Sequence, residues 1–183
     1  MALLDLADAK AQLNITTTSS DDELQAYIVS LTAVIEGIVG PVEERTVTET
    51  VTGRGPLLCL QQPPVISITS ITPVLDGGTG VDVARVHVDP VSGVLQRRDG
   101  RRFAGGPWTV VYQAGRPDVP PTINLAARML VQHLWRTQTA TRGPMLAGGD
   151  DYSVTEPVPG FGYAVPNRVL QLLQPFKTPP AVA

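Results

Sequence analysis

The chain has 183 residues and a formal net charge of −3; 43% of its residues are hydrophobic and 17% are charged. This size and composition are typical of a globular domain, or of a core with a small inserted domain, and they exclude a wholly disordered chain. No apolar run approaches the roughly 20 residues of a membrane span, and the acidic first residues do not resemble a signal peptide. We therefore expect no membrane association.

The first 44 residues predict two helices. Residues 5–13 predict a short helix that begins at the capping side chain of Asp5. After a polar break, Ser20 to Glu23 form a capping box, in which Glu23 turns back to the start of the helix. Apolar residues then follow at three- and four-residue spacing until Gly40-Pro41, which ends the second helix.

Residues 45–115 are rich in β-branched residues, with turn signals at the spacing typical of a small antiparallel sandwich or barrel. Residues 45–52 alternate threonine with partly apolar positions and predict an edge strand. The apolar register slips within residues 65–71, which predicts a bulged strand. Further strands are predicted over 81–88, 94–97 and 108–114, with a hairpin turn at Asp99-Gly100.

The C-terminal part predicts two more helices. Pro120-Pro121 precede a helix over 122–138, and Pro166 opens a short helix over 167–174. Residues 139–163 have no periodicity and predict a long loop. The chain ends in a proline-rich tail.

The predicted fold class is α+β. An N-terminal helix pair, a long central helix and a short C-terminal helix form a helical core, with an inserted small antiparallel β-sandwich or barrel. We expect the helical parts to form one domain. The chain divides into N-terminal helices over 1–44, the β insertion over 45–115, the third helix over 116–140, a long loop over 141–164, and the C-terminal helix and tail over 165–183.

Sequence patterns of catalysis and of cofactor binding are absent. The sequence contains neither a G-x-S-x-G elbow nor a Walker loop. His133 lies in a helix beside apolar residues, His87 lies on the outward face of a predicted strand, and Cys59, the single cysteine, lies in an apolar run. Asp150-Asp151 could bind a cation, but adjacent acids in a glycine-rich loop usually stay solvated. We predict no enzyme activity, no metal site and no cofactor.

Charge is distributed unevenly along the chain. Residues 1–44 contain eight acids and one base, whereas residues 85–142 contain nine arginines and three acids. This asymmetry indicates either an electrostatic interface or two solvated surfaces of opposite sign. The strongest basic feature is the turn at Asp99-Gly100, which is flanked by Arg97, Arg98, Arg101 and Arg102.

Three interpretations of these four arginines remain open. They could contact the backbone phosphates of duplex DNA, the acidic surface of a protein partner, or solvent alone. No aromatic residue nearby offers a stacking platform for bases, which argues against single-strand or sequence-specific recognition.

Seven segments, taken in order, carry a resemblance to a known family. They are residues 6–13, 21–28, 63–71 (PPVISITSI), 88–95, 108–115 (WTVVYQAG), 119–125 and 165–176 (VPNRVLQLLQPF). Their order resembles the head–tail connector (adaptor) proteins of tailed double-stranded DNA bacteriophages: an opening helix pair, a first core strand, a strand–turn–strand, a strand ending in tyrosine and glycine, a proline-led helix and a closing helix.

The resemblance implies a structural protein of the virion neck, made and assembled in the cytoplasm of the bacterial host. It implies a ring, a dodecamer, beneath the portal protein. This ring would extend the channel for DNA ejection and give the stopper or tail proteins a docking surface. The implied partners are the portal, the stopper or tail, further copies of the chain, and duplex DNA contacted non-specifically in the channel.

The resemblance also assigns residues. The C-terminal helix would reach the portal, with contacts at Arg168, Leu172 and Phe176, so deleting 165–183 is expected to abolish portal binding and leave the core folded. Neighbours in a closed ring could pair acidic with basic surfaces. The candidates for contacts between subunits are Asp21, Asp22, Glu23, Arg128 and Arg136.

Two alternative functions remain open. The chain could be another neck or tail component, such as a stopper, or a duplex-DNA-binding module that uses the arginine-rich turn. An enzyme with an unrecognised site ranks last.

Overall fold

The computed structural model describes residues 3–53, 55–104, 106–139 and 165–178. The described residues belong to two compact units. The β unit contains Val39–Asp118 and Thr178, and the helical unit contains the described parts of Ala2–Ile38 and Val119–Lys177. Among these residues, no helix combines the length and apolarity needed to cross a membrane.

Four α-helices are described, as the sequence predicts. A short 3₁₀ helix, Gln174–Phe176, continues the last of them. The α-helices are α1 (Leu6–Leu13), α2 (Asp21–Val39), α3 (Pro121–Thr139) and α4 (Asn167–Leu173). Apart from Thr139, which ends α3, the predicted loop over 139–163 lies outside the described residues, as does Asp150-Asp151.

Local side chains explain where the first two helices begin and end. The Asp5 carboxylate accepts a hydrogen bond from the Asp8 amide at 2.7 Å, which is the predicted cap of α1. At the start of α2, the Glu23 carboxylate does not turn back to cap the helix as predicted. It instead accepts a hydrogen bond from the Tyr27 hydroxyl at 2.8 Å. Burial and this bond raise the pKa of Tyr27 to about 12. After α2, Gly40 adopts a φ of 76°, a left-handed conformation that favours glycine.

The helical unit buries the apolar stripes that the sequence predicts. One side of helix α3 is buried. The Trp135 ring packs edge-on against the Tyr27 ring, with 6.4 Å between the ring centroids. The buried residues of α2 and α3 include Leu24, Ile28, Leu31, Ile35, Ile123, Ala126, Ala127, Leu130 and Leu134. Burying an apolar side chain of this size contributes roughly 1.5–3 kcal/mol before conformational entropy is counted.

The β unit consists of two three-stranded antiparallel sheets. Their orders are β1-β6-β3 and β2-β5-β4. The strands are β1 (Arg45–Thr52), β2 (Leu57–Cys59), β3 (Val65–Pro73), β4 (Val86–Val88), β5 (Val94–Arg97) and β6 (Pro107–Ala114). The described strands do not close into a barrel, so the barrel alternative is wrong, while the mixed α+β class is confirmed.

The first sheet follows its sequence pattern closely. Strand β1 is an edge strand, as predicted, and β6 is the central strand, with every second side chain buried. Strand β3 pairs with β6 through register shifts between Val65 and Ser67 and between Ile68 and Ser70, which confirms the predicted bulge. Side chains of both sheets, including Leu58, Leu95, Val110 and Tyr112, contribute to one buried cluster.

Two predicted β features are wrong. The strand expected over 81–88 is reduced to β4, because the Asp82 carboxylate accepts a hydrogen bond from the Ala84 amide at 3.0 Å and starts a 3₁₀ turn. The turn at Asp99-Gly100 forms, but it does not join a hairpin, since β5 pairs with β4 and β2 rather than with β6. The chain after this turn instead buries Phe103 against Trp108, with ring centroids 6.0 Å apart.

Candidate interaction surfaces

The C-terminal helix α4 carries two stripes of side chains at four-residue spacing. Val165, Val169 and Leu173 are buried, with 3%, 0% and 0% of their surface exposed. Arg168 is exposed, and Leu172 and Phe176 are partly exposed. The three residues assigned to the portal thus follow one stripe of the chain, next to the stripe that anchors α4 in the helical unit. We name Arg168, Leu172 and Phe176 the C-terminal face.

The acidic start of α2 is only partly available to another molecule. Asp21 accepts a hydrogen bond from the ammonium of Lys10 at 2.6 Å, and both side chains are mostly covered. Asp22 and Glu23 are exposed. Of the three predicted intersubunit acids, therefore, one is held by a base of its own chain.

The predicted intersubunit base Arg128 is also engaged within its own chain. Its guanidinium donates to Asp8 at 2.9 Å and to the Asn124 side-chain oxygen at 2.8 Å. Asn124 in turn donates to the Leu3 carbonyl at 2.7 Å. These contacts join α1 to α3 inside the helical unit, whereas Arg136 is exposed on the last turn of α3.

The basic segment 97–102, which we name the arginine turn, is organised by Asp99. The Asp99 carboxylate accepts two hydrogen bonds from Arg97, at 2.9 and 2.6 Å, and one from the Arg101 amide at 3.1 Å. The hydrogen bonds from Arg97 hold the pKa of Asp99 well below its usual range. Asp99 neutralises Arg97, and the Arg97 side chain is mostly covered. The exposed guanidinium groups of the turn are those of Arg98, Arg101 and Arg102.

An acidic residue on the inner side of β1 has no counterpart in the sequence predictions. Glu49 lies between Val47 and Val51 on the side of the strand that faces the core, and its carboxylate accepts a hydrogen bond from the Gln61 amide at 3.0 Å. The Tyr112 hydroxyl lies close to this carboxylate. Burial raises the pKa of both groups. An inward-pointing charge on an edge strand discourages unwanted pairing with other strands.

The described residues do not assemble a catalytic or metal-binding constellation. Within them, no group of three or more histidine, cysteine or acidic side chains could hold a metal ion. His87 is exposed on β4, while burial lowers the pKa of His133, and Cys59 is partly buried on β2. These side chains lie on separate elements, so the surfaces described above are the candidate functional features.

A family model described as "Head completion protein" matches residues 2–178. The chain belongs to the head completion protein family. Membership confirms the predicted class of protein, a structural head–tail connector. A search of curated proteins finds no match.

The fold of this head completion protein is shared with subunits of two solved neck structures. One is the neck of an empty gene transfer agent (GTA) particle computed with C6 symmetry, with a TM-score of 0.67 and 18% identity, covering 97% of this chain and 90% of the other. The second is the neck of a native GTA particle computed with C12 symmetry, with a TM-score of 0.57 and 18% identity, covering 90% and 93%. The virion of the native particle also matches, with a TM-score of 0.57 and 16% identity, covering 97% and 90%.

Replacing Glu49 of this head completion protein with glutamine is expected to raise its free energy of unfolding at pH 7 by on the order of 0.5 kcal/mol. The raised pKa of Glu49 means that the fold favours the protonated carboxyl. Its unfavourable contribution is therefore absent below the unfolded pKa of about 4.3 and grows as the pH rises through the folded value. Urea unfolding of both proteins at pH 4 and pH 7 checks this. An equal difference at both pH values would contradict it.

Proposed function

We propose that this chain forms a ring in the neck of a phage-like virion. The ring lies beneath the portal, extends the DNA channel and provides the docking surface for the stopper or tail; it has no catalytic activity. The observation that carries this proposal is the likeness over 97% of the chain to a subunit of a particle neck computed with C6 symmetry. Ring symmetry fits the exposed acids Asp22 and Glu23 at the start of α2 and the exposed Arg136 on the last turn of α3, because closed rings join two different surfaces of neighbouring subunits.

Particle images of the purified chain, with and without the portal protein of its own virion, test this function. We expect rings, either alone or on the portal, and twelve copies in each. A chain that remains monomeric at high concentration and does not associate with the portal would contradict the proposal. Pull-downs against separately purified portal, stopper and tail proteins would then identify another place in the neck.

We further propose that the helical parts form one domain and that residues 45–115 are an insertion in it. The division of the described residues into a helical unit and a β unit supports this arrangement. Asp22, Glu23 and Arg136 are the proposed contacts between ring neighbours. Asp21 and Arg128 contribute less directly, since each already has an oppositely charged partner in its own chain.

The proposed portal contact is the C-terminal face. Arg168 offers an exposed charge, and Leu172 and Phe176 offer partly exposed apolar surface, a combination suited to a partner that covers the helix. Arginine and aromatic residues are also the residue types that contribute most to protein–protein binding energy.

Replacing Arg168 and Leu172 together with alanine is expected to weaken portal binding at least about tenfold, because a lost contact of about 1.4 kcal/mol changes affinity by that factor. The matched control replaces the exposed Gln171 and Gln174 of the same segment and is expected to bind normally. Thermal unfolding shows whether each variant stays folded, and Arg168→Ala alone separates the contact from any effect on packing. Full portal affinity of both Arg168 variants would overturn the assignment.

A further inference from the structure

The arginine turn is a basic site on an acidic chain. Residues 97–102 contain four arginines and one aspartate, which give this segment a formal charge of +3, whereas the whole chain carries −3. Asp99 neutralises Arg97, so the charge is concentrated on three exposed guanidinium groups at Arg98, Arg101 and Arg102. The exposed Arg85 lies beside them, since its carbonyl accepts a hydrogen bond from the Arg98 amide at 2.8 Å.

The structure holds this turn in place at both ends. At its start, β5 pairs with β4 up to Arg97, and the Arg98 guanidinium donates to the Val86 carbonyl at 3.4 Å. At its end, Phe103 is 3% exposed, and its amide donates to the Gly55 carbonyl at 2.9 Å. The turn therefore presents its charges from a fixed backbone, which reduces the entropy lost when a ligand binds.

The arginine turn is open to solvent at Gly100. Gly100, at the turn, has a φ of 70°, and a Cβ atom built on it would meet no atom within 4 Å. The turn itself contains no apolar side chain. Centres of protein–protein interfaces combine arginine with aromatic and other apolar anchors, which this turn lacks, whereas contacts to nucleic-acid phosphates consist largely of arginine and lysine. The composition therefore favours a polyphosphate backbone over the acidic surface of a protein.

We propose that Arg98, Arg101 and Arg102 form a binding site for the phosphate backbone of duplex DNA. Binding is independent of base sequence, because the turn supplies guanidinium groups and no aromatic platform for bases. The choice of duplex DNA as the ligand rests on the proposed place of the protein around the DNA channel. The site itself rests on the contacts within the β unit.

Fluorescence anisotropy of the full-length chain with a labelled duplex of arbitrary sequence, at several salt concentrations, tests this site. Each phosphate contact contributes about 0.9 to the slope of log K against log salt. Replacing all three exposed arginines with alanine is therefore expected to reduce the slope by about 2.7. Between 50 and 200 mM salt, the unmodified protein is then expected to lose about 40-fold more affinity than the variant.

Replacing Arg101 and Arg102 alone with alanine removes two charges from the turn. A matched control removes two charges elsewhere by replacing the exposed Arg45 and Lys177 with alanine. It is expected to keep the slope of the unmodified protein. The proposal is overturned if the unmodified protein does not bind at low salt, or if these two double variants reduce the slope equally. It is also overturned if polyglutamate competes as well as unlabelled duplex at equal charge, which would assign the turn to an acidic protein surface.

The same preparations distinguish this inference from the proposed function. Rings that form on the portal although the protein does not bind duplex DNA would remove the phosphate site and leave the neck role intact. The opposite result is salt-dependent DNA binding that requires the three arginines, by a chain that neither forms rings nor binds the portal. It would support the phosphate site and contradict the proposed place of the protein around the DNA channel.

Discussion

Replacing Gly40 with alanine is expected to destabilise the protein by roughly 2–5 kcal/mol. Gly40 has a φ of 76°, where an L residue costs roughly 1–2 kcal/mol. A Cβ atom there would collide with the Pro63 carbonyl oxygen and would lie 3.0 Å from the Thr178 side chain. A backbone carbonyl cannot turn aside as a flexible side chain can, so overpacking adds roughly another 1–3 kcal/mol.

Gly77 provides the control for this substitution. It has a φ of 83°, but a Cβ atom built on it would meet nothing within 4 Å. Gly77→Ala is therefore expected to show the conformational term alone, roughly 1–2 kcal/mol. Urea unfolding of the two variants measures the difference, which reports the close approach of Gly40 to Pro63. Equal losses for both variants would mean that this approach does not occur.

The elements that sequence alone could predict are those whose signals are local. The Asp5 cap, the stop after α2 and the alternation along β6 each depend on residues within a few positions of one another, and the structure confirms them. The same holds for the bulge in β3, which is visible as a slip between apolar positions. The class of protein could be predicted from sequence because the family resemblance rests on the order of such local segments.

Features that depend on distant parts of the chain could not be predicted. Arg116 donates to the carbonyl oxygens of Val39 and Pro41, both at 2.9 Å, and so satisfies acceptors at the end of α2 from about 75 positions away. The arginine turn looked like a hairpin because Asp-Gly favours one, yet the burial of Phe103 directs the chain to the other sheet. No local pattern encodes which strand follows such a turn.

The candidate surfaces show the same division. Charge counts located the acidic and basic stretches, but they could not show that Arg128 is taken by Asp8 or that Arg97 is taken by Asp99. Burial reduced the candidates further on α4, where Val169 and Leu173 are closed to a partner while Arg168 and Leu172 remain at least partly accessible. Charge patterns in the sequence proposed the candidate surfaces, and contacts within the chain decided which of their side chains remain exposed.

Replacing Leu173 with alanine is expected to destabilise the helical unit by about 2–5 kcal/mol, the usual range for removing a fully buried leucine side chain. Leu173 is 0% exposed, and so is Val169 one turn earlier. Helix α4 has only seven residues, and Pro166 offers no side-chain cap. So short a helix is marginal in water, and its stability depends on packing against the rest of the unit. Denaturant unfolding followed by circular dichroism measures the loss.

Leu172→Ala is the control, since this neighbouring side chain is partly exposed and is expected to cost less than Leu173→Ala. Similar losses for the two leucines would contradict the burial pattern of α4. The same pattern changes how portal binding must be tested. Deleting residues 165–183 would remove buried Val165, Val169 and Leu173 together with the C-terminal face, so the shortened chain would lose stability and binding at once. Substitutions at Arg168 and Leu172, with Leu173 kept in place, separate a docking surface from the core that supports it.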